Sequence, residues 1–542
     1  MSQRPLAKKD MSIPCWQIGN VVTPGSHNPA TAGWKDEIFM TDLSFNTTVQ
    51  HCRNLSGGVW HEDTHLPKRD IFSPYNGKMI GRVPLSGADE VSRTVAAAAE
   101  AWPAWAQTSA RQRAEVLARF KALMIENMAR LVDSVAIESG KTRVEAEAGL
   151  QKGMEIIDFA ISLPNLDTWD SSEVSQGVHC QFRRESLGVV VGITPFNFPA
   201  MVPLWMIPLA LVVGNAFVLK PSEKVPLTSQ ILGQLLMDAG LPQGVFSIIN
   251  GEAPVVNALL AHPDVKAAAF VGSTAVASHV YRTGTSLHKR VLALGGAKNH
   301  IIVTPDCEPT LTAKGILSSF TGCAGQRCMA ASVLIAVGNI DHVIEKVVEL
   351  AKKQCLGRDM GAIIDSSSLK RIETAVANAE SQGAKILLDG RGRKSVVQDS
   401  EKGCWIGPTI IDHANAKMEC AQMEIFGPVL TIIRASGLEE AVQISNASPY
   451  GNAASVFTTR GDIGQYVAQN SNSGMIGINI GVPVPREPFS FGGTKQSRFG
   501  HGDITGKSGL DFWSDLKKIT TTWPALQANQ STQSGQFLLH TT

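Results

Sequence analysis

The chain reads as an α/β protein with two lobes of largely parallel sheet, each covered by helices, and a cleft between them. Short apolar runs alternate with helical runs along most of the 542 residues. The short runs are apolar throughout, as expected of strands buried on both faces. The alternation falls into two blocks, roughly 188–297 and 310–480, and each block is a sheet-and-helix layer of its own.

The elements follow in order. From Ala88 to Ala129 the sequence is alanine-rich, with Val91, Val95, Leu117, Phe120 and Leu123 at helical spacing, and Leu131 to Ala160 continues in that style. Gly188-Val-Val-Val-Gly-Ile-Thr194 predicts a buried strand, and Ala216 to Lys220 another. Further strands are predicted from Val245 to Asn250, Ala267 to Val271, Ile301 to Val303 and Val333 to Val337, with helices from Leu227 to Gly240 and Ile340 to Lys353. Leu187 to Leu219 contains no charged residue and is long enough to span a bilayer. Pro195, Pro199, Pro203 and Pro208 would leave backbone groups unpaired in lipid, so this run is expected to be buried core instead. Roughly the first 55 residues lack periodicity and read as a flexible N-terminal arm. Residues 526–542 read as a frayed tail.

A net charge of +1, with 18% charged residues, gives no general attraction to nucleic acid or acidic membrane. The nine cysteines are scattered, and none lies in a CxxC pair. Neither a disulfide framework nor a zinc site is suggested, and a reducing, cytoplasmic setting is expected. The N-terminus has no apolar signal core.

One cysteine stands apart. In Phe320-Thr-Gly-Cys-Ala-Gly-Gln-Arg-Cys328-Met-Ala, Gly322 and Gly325 permit a tight turn, and the run from Met329 is compatible with a helix. A cysteine at a turn-to-helix junction beside Arg327 would be drawn below the free-thiol pKa of about 8.5. Read alone, the segment fits a buried structural cysteine equally well. Other segments accompany it in a fixed order: Thr194-Pro-Phe-Asn197-Phe-Pro after one strand, Lys220-Pro-Ser-Glu223 after the next, Gly272-Ser273 where a strand meets a helix, and Glu424-Ile-Phe426-Gly-Pro downstream. A strand-to-helix turn such as Gly272-Ser273 offers backbone N–H groups to a phosphate.

With these phrases, and with Gly-Ala-Lys-Asn-His at 296–300 and Pro-Phe-Ser-Phe at 488–491, the chain resembles the aldehyde dehydrogenase superfamily over about residues 60–523. Within it, the chain is similar to the CoA-acylating methylmalonate-semialdehyde dehydrogenase branch. The resemblance implies an NAD-binding domain (56–170 and 188–296), a catalytic domain (297–490) and oligomerisation strands (171–187 and 491–525) that form a homodimer or homotetramer. It implies Cys328 as nucleophile and Asn197 as oxyanion donor. On the NAD side it implies Thr194, Phe196, Lys220, Glu223, Gly272, Ser273, Glu424 and Phe426. No GxGxxG follows the relevant strand, so the cofactor expectation rests on the resemblance. Glu223, placed to accept ribose hydroxyls, favours NAD over NADP.

An absence refines the expectation. Hydrolytic members carry a glutamate before Leu-Gly-Gly, and aligned on Gly296-Ala-Lys that position is Leu294. Water without a base is a poor nucleophile, whereas a thiol needs less help, so coenzyme A is the expected acyl acceptor. A carboxylate brought in from elsewhere in the fold would instead support hydrolysis to a free acid with NAD(P). A catalytically silent binding protein is the reading from another class. For the substrate carboxylate the resemblance implies Arg327 and a second arginine after Gly-Lys-Thr, where this chain has Lys152. Lysine keeps the charge but not the bidentate fork.

Overall fold

The computed structural model describes residues 49–166 and 171–524. Val189–Ile193, Ala216–Lys220, Phe246–Ile248, Val265–Val271 and Arg290–Leu294 form the parallel core of the first sheet. The first two are buried at every residue, which is why their sequences show no polar alternation. In space the five run fifth, fourth, first, second, third. The order therefore reverses between Val265–Val271 and Val189–Ile193. The crevice outside the carboxyl ends of strands at such a reversal is where open α/β sheets take ligands.

Each face of this sheet has its own apolar cluster. Val190 and Phe217 pack with the helices Met201–Val212 and Leu227–Asp238. Val189, Val191 and Val218 pack with Ala253–Ala261 and Thr274–Ser286. The period-two alternation of strand side chains distributes them between the two layers. The charge-free run thus divides into a strand, a loop, the buried helix containing Pro203 and Pro208, and a second strand. No helix among the described residues is long and apolar enough to cross a membrane.

Three boundaries differ from the sequence expectation. Gln50–His51 and Asn54–Ser56 are strands, although they fall within the expected arm; residues 1–48 of that arm lie outside the described residues. Asn54 is fully buried and bonds Asp63, Ser86 and Asn250, a polar anchor that apolar periodicity cannot reveal. Arg498–Phe499, in the expected oligomerisation segment, joins the edge of the first sheet beside Arg290–Leu294. The long helical stretch is broken into Ala88–Gln107, Ala110–Glu126, Met128–Ser139 and Arg143–Ile161. Ser109 and Gln112 form a capping box at one break, and Gly140 ends a helix in the left-handed region at another. The expected tail lies outside the described residues.

The second sheet runs Lys385–Leu388, Thr409–Asp412, Val429–Ala435, Ala331–Val337, Asn299–Val303, Ala453–Phe457, Met475–Ile478, parallel except at its first pair. A third, antiparallel sheet joins Ser514–Thr522, Val178–Ser186 and Ser171–Ser175.

One buried amide links three of these parts. Asn215 Oδ1 accepts the N–H groups of Leu187 and Gly188 (2.7 and 3.2 Å), and its Nδ2 donates to the carbonyls of Ala210 and Trp513 (3.1 and 2.8 Å). Asn215 itself has no solvent exposure. Asn215→Ala strands the Leu187 and Gly188 N–H groups and the Trp513 carbonyl, and is expected to cost about 3 kcal/mol or more, read as a lowered Tm in thermal unfolding. An unchanged Tm would show that water replaces the amide.

Candidate active site

Cys328 lies on a loop between the helix Pro309–Thr321 and the strand Ala331–Val337. This corrects the helix expected from Met329: a strand follows the cysteine, so Cys328 does not open a helix. Cys323, Ala324 and Gly325 are successive left-handed residues (φ 54°, 51° and 69°). Gly325 is required for space as well as conformation. A Cβ there would collide with the Gly427 carbonyl, so the loop lies directly on the Gly427-Pro428 backbone downstream of Glu424.

The rest of the loop is held by amides. Buried Gln326 accepts the Ile364 N–H (3.0 Å) and donates to the Ala362 carbonyl (3.1 Å). Its own carbonyl accepts Asn197 Nδ2 (2.9 Å), which brings the sequence-predicted oxyanion donor beside the nucleophile segment. The Cys328 carbonyl accepts both Asn299 Nδ2 (2.7 Å) and Asn452 Nδ2 (2.9 Å). Sequence reasoning missed both asparagines as site residues. Asn299 stands in the Gly-Ala-Lys-Asn-His phrase, but Asn452 has no local signal.

Cys328, Phe198 and Trp205 are shared by two cavities, of about 640 and 800 Å³. The smaller opens at the strand reversal. Thr194, Phe196, Lys220, Glu223, Gly272, Ser273, Glu424 and Phe426 all line it, together with Asn197. Lys220 Nζ lies 3.2 Å from Glu223 Oε2. Burial favours neutral Glu223, but Lys220, the Glu223 backbone N–H and Arg69 together hold the carboxyl below its ordinary range. Ser273 caps the helix Thr274–Ser286 without using its side chain on that helix. Its hydroxyl and the first-turn N–H groups thus suit an anion. Phe426 meets Phe196 edge-on, with ring centroids 5.8 Å apart.

Glu424 Oε1 accepts the Ala297 N–H (2.9 Å), and burial raises its carboxyl to about 6. Nearby Lys298 is 2% exposed with no hydrogen-bond partner for Nζ, and burial lowers it to about 8. For Cys328 itself, burial is the largest influence and Glu424 the next; together they push the thiol up to about 12 against the pull of Arg327. The depressed pKa expected from sequence is therefore reversed.

Arg327 and Lys152 line the larger cavity. Arg327 Nη2 donates to the Ser318 and Ser319 carbonyls, while its buried Nε has no partner. Lys152 Nζ is 2.6 Å from Glu155 and 3.6 Å from Glu487. Leu294 is a buried strand residue paired with Val271 and lines neither cavity.

With the thiol at about 12, iodoacetamide labelling of Cys328 in the protein without added NAD should be slow at pH 7 and still rising at pH 10. Cys328→Ala supplies the background. Glu424→Gln removes the neighbouring charge, so its labelling profile should shift to lower pH. A wild-type profile already flat at pH 7 would refute this electrostatic account.

The family model described as "Aldehyde dehydrogenase family" matches residues 60–519. A malonate-semialdehyde dehydrogenase of Geobacillus thermodenitrificans is 40% identical over 485 residues, covering 88% of this chain and all of that protein. One of Oceanobacillus iheyensis is 38% identical over 486 residues, 88% of this chain and 99% of that one. Among solved structures, a Sinorhizobium meliloti protein complexed with NAD superposes with a TM-score of 0.86 at 36% identity, over 88% of this chain and 99% of that one. The methylmalonate-semialdehyde dehydrogenase of Oceanimonas doudoroffii gives 0.85 at 38%, with the same coverage. By its sequence, its fold and the arrangement around Cys328, the chain belongs to the aldehyde dehydrogenase family.

Proposed function

We propose that the protein oxidises malonate semialdehyde or methylmalonate semialdehyde with NAD and transfers the decarboxylated acyl group to coenzyme A. The observation that carries this reading is the position of Cys328 as a shared wall of two cavities. One cavity has the groups to hold a dinucleotide, and the other holds an arginine with a free buried donor.

The Cys328 sulfur adds to the aldehyde carbon as a thiolate. Asn197 and the Cys328 backbone N–H are the donors proposed for the resulting oxyanion, the charge that preorganised donors stabilise most. NAD, when bound, supplies the acceptor for the hydride whose loss leaves a thioester on Cys328. Glu223 and Lys220 would hold the adenosine ribose, Ser273 and Gly272 the pyrophosphate, and Glu424 the nicotinamide ribose, with Thr194, Phe196 and Phe426 walling the ring. Arg327 Nε is the donor proposed for the substrate carboxylate. That carboxylate is β to the thioester carbonyl, so its C–C bond breaks with the electrons passing to the thioester enolate. Protonation at carbon gives the acetyl or propionyl thioester, and the thiolate of coenzyme A then displaces Cys328.

The Leu294 position supports transfer to a thiol over hydrolysis. The hydrolytic reading would have to draw on a carboxylate such as Glu424, whose Oε1 is engaged by Ala297, or Glu145, whose oxygens accept the Cys323 and Thr142 N–H groups. A homo-oligomer is proposed through the third sheet, where Ser171–Ser175 is a fully exposed edge strand of the kind that pairs with another chain.

Without coenzyme A, malonate semialdehyde should give a burst of no more than one NADH per site and then a slow rate; coenzyme A should sustain turnover and release acetyl-CoA. Undiminished NADH production and free acid without coenzyme A would establish the hydrolytic reading instead. Asn197→Ala should lower kcat about 10²- to 10³-fold with NAD affinity retained. Glu223→Gln should raise kcat/KM for NADP relative to NAD at least about tenfold, one charged contact's worth. An unchanged ratio would show that Glu223 does not read the ribose.

A further inference from the structure

One buried carboxylate takes no part in the chemistry of the site. Glu138 lies in the last turn of the helix Met128–Ser139 and is fully buried. A carboxylate is disfavoured at the C-terminal end of its own helix, and a buried one is costly without compensating partners. Its partners stand at the start of another helix, Leu227–Asp238. Glu138 Oε2 accepts the Leu227 N–H (2.7 Å), and Oε1 accepts the Thr228 N–H (3.0 Å) and the Thr228 hydroxyl. Ser134 Oγ lies 3.0 Å from the same hydroxyl. Pro226, the residue before this helix, supplies no side-chain cap, so Glu138 serves as one from 90 residues before Thr228. Burial pushes the Glu138 carboxyl up to about 7, against the pull of the Thr228 and Leu227 donors.

The start of this helix matters for what precedes it. Residues 221–226 connect Lys220, at the end of a first-sheet strand, to Leu227. Lys220, Ser222, Glu223 and Lys224 line the smaller cavity. The connection is a tight turn, closed by the Val225 N–H on the Ser222 carbonyl (3.1 Å) and the Lys224 N–H on Ser222 Oγ (3.3 Å). The sheet fixes one end, where Lys220 pairs with Ile193, and the Glu138 carboxylate fixes the other. A shift at Leu227 therefore passes along a short, hydrogen-bonded turn to Glu223. We propose that Glu138 is a positioning residue for the cofactor: by holding the Leu227 and Thr228 N–H groups, it sets where Glu223 and Lys220 meet the adenosine ribose. Glu138 lines neither cavity, so its effect is exerted through the turn. The proposal rests on the reading of Glu223 and Lys220 given above and adds the residue that orients them. Glutamine at this position could accept one N–H but would turn its own NH2 against the other donor.

The test is the Kd of NAD, and of ADP-ribose as its adenosine-side fragment, by titration of wild type, Glu138→Gln, Ser134→Ala, Glu223→Gln and the Glu138→Gln/Glu223→Gln double variant. Glu138→Gln should weaken both ligands by the same factor, at least about fivefold, part of the worth of one charge-assisted hydrogen bond. Its kcat for malonate semialdehyde at saturating NAD and coenzyme A should be unchanged, the mark of lost binding without lost chemistry. Ser134→Ala loosens the same helix pair but leaves both N–H groups on the carboxylate, and should leave both constants unchanged. Because Glu138 acts through the turn that carries Glu223, the double variant should lose less affinity than the product of the two single effects. Thr228→Val, which removes the hydroxyl partner and keeps both N–H groups, should give a smaller loss in the same direction; it stands in should Glu138→Gln fail to fold. An unchanged NAD constant in Glu138→Gln or in its stand-in, a loss confined to NAD, an equal loss in Ser134→Ala, a kcat that falls as far as the affinity, or single effects that multiply in the double variant would overturn the proposal. Wild type that binds neither NAD nor ADP-ribose would instead overturn the cofactor reading beneath it.

Discussion

The site depends on the contact between Gly325 and the Gly427-Pro428 backbone. It closes the distance between the nucleophile loop and the segment carrying Glu424, almost a hundred residues later in the chain. Close packing of backbone on backbone tolerates no side chain, which accounts for glycine at position 325. The left-handed residues at Cys323 and Ala324, normally unfavourable, persist because Gln326, Asn299 and Asn452 anchor the loop from Gln326 to Cys328. Cys328 is thereby held where the two cavities meet.

That position has an electrostatic consequence. The nucleophile is half-buried, and desolvation together with the Glu424 carboxyl holds its thiol neutral. A cationic ring beside it would favour the thiolate. Cofactor binding would in that way activate the nucleophile.

Much of the fold was legible in the sequence because fully buried strands announce themselves as short apolar runs; Ala216–Lys220 has the bounds its residues suggest. The strand containing Asn54 was not legible, because its anchor is a buried amide whose partners lie up to 196 residues away. The nucleophile segment was found through its motif, but the reasoning about its local structure failed at Met329. Met-Ala-Ala suits a helix locally, while the second sheet claims Ala331–Val337 as a strand. The eight residues expected on the cofactor side converge on one cavity, since each follows a strand's carboxyl end or the Glu424 turn. Charge neutralisation at Lys152 was out of reach, because Glu487 is brought to it by tertiary structure alone.

The central claim, that Cys328 carries the acyl group until a thiol removes it, is tested most directly by mass. The protein would be mixed with NAD and malonate semialdehyde without coenzyme A, quenched in acid and measured intact and as peptides. The account predicts an added acetyl group on the peptide containing Cys328, lost when coenzyme A is present before the quench. No adduct under single-turnover conditions, or an adduct on Cys323 in place of Cys328, would contradict it.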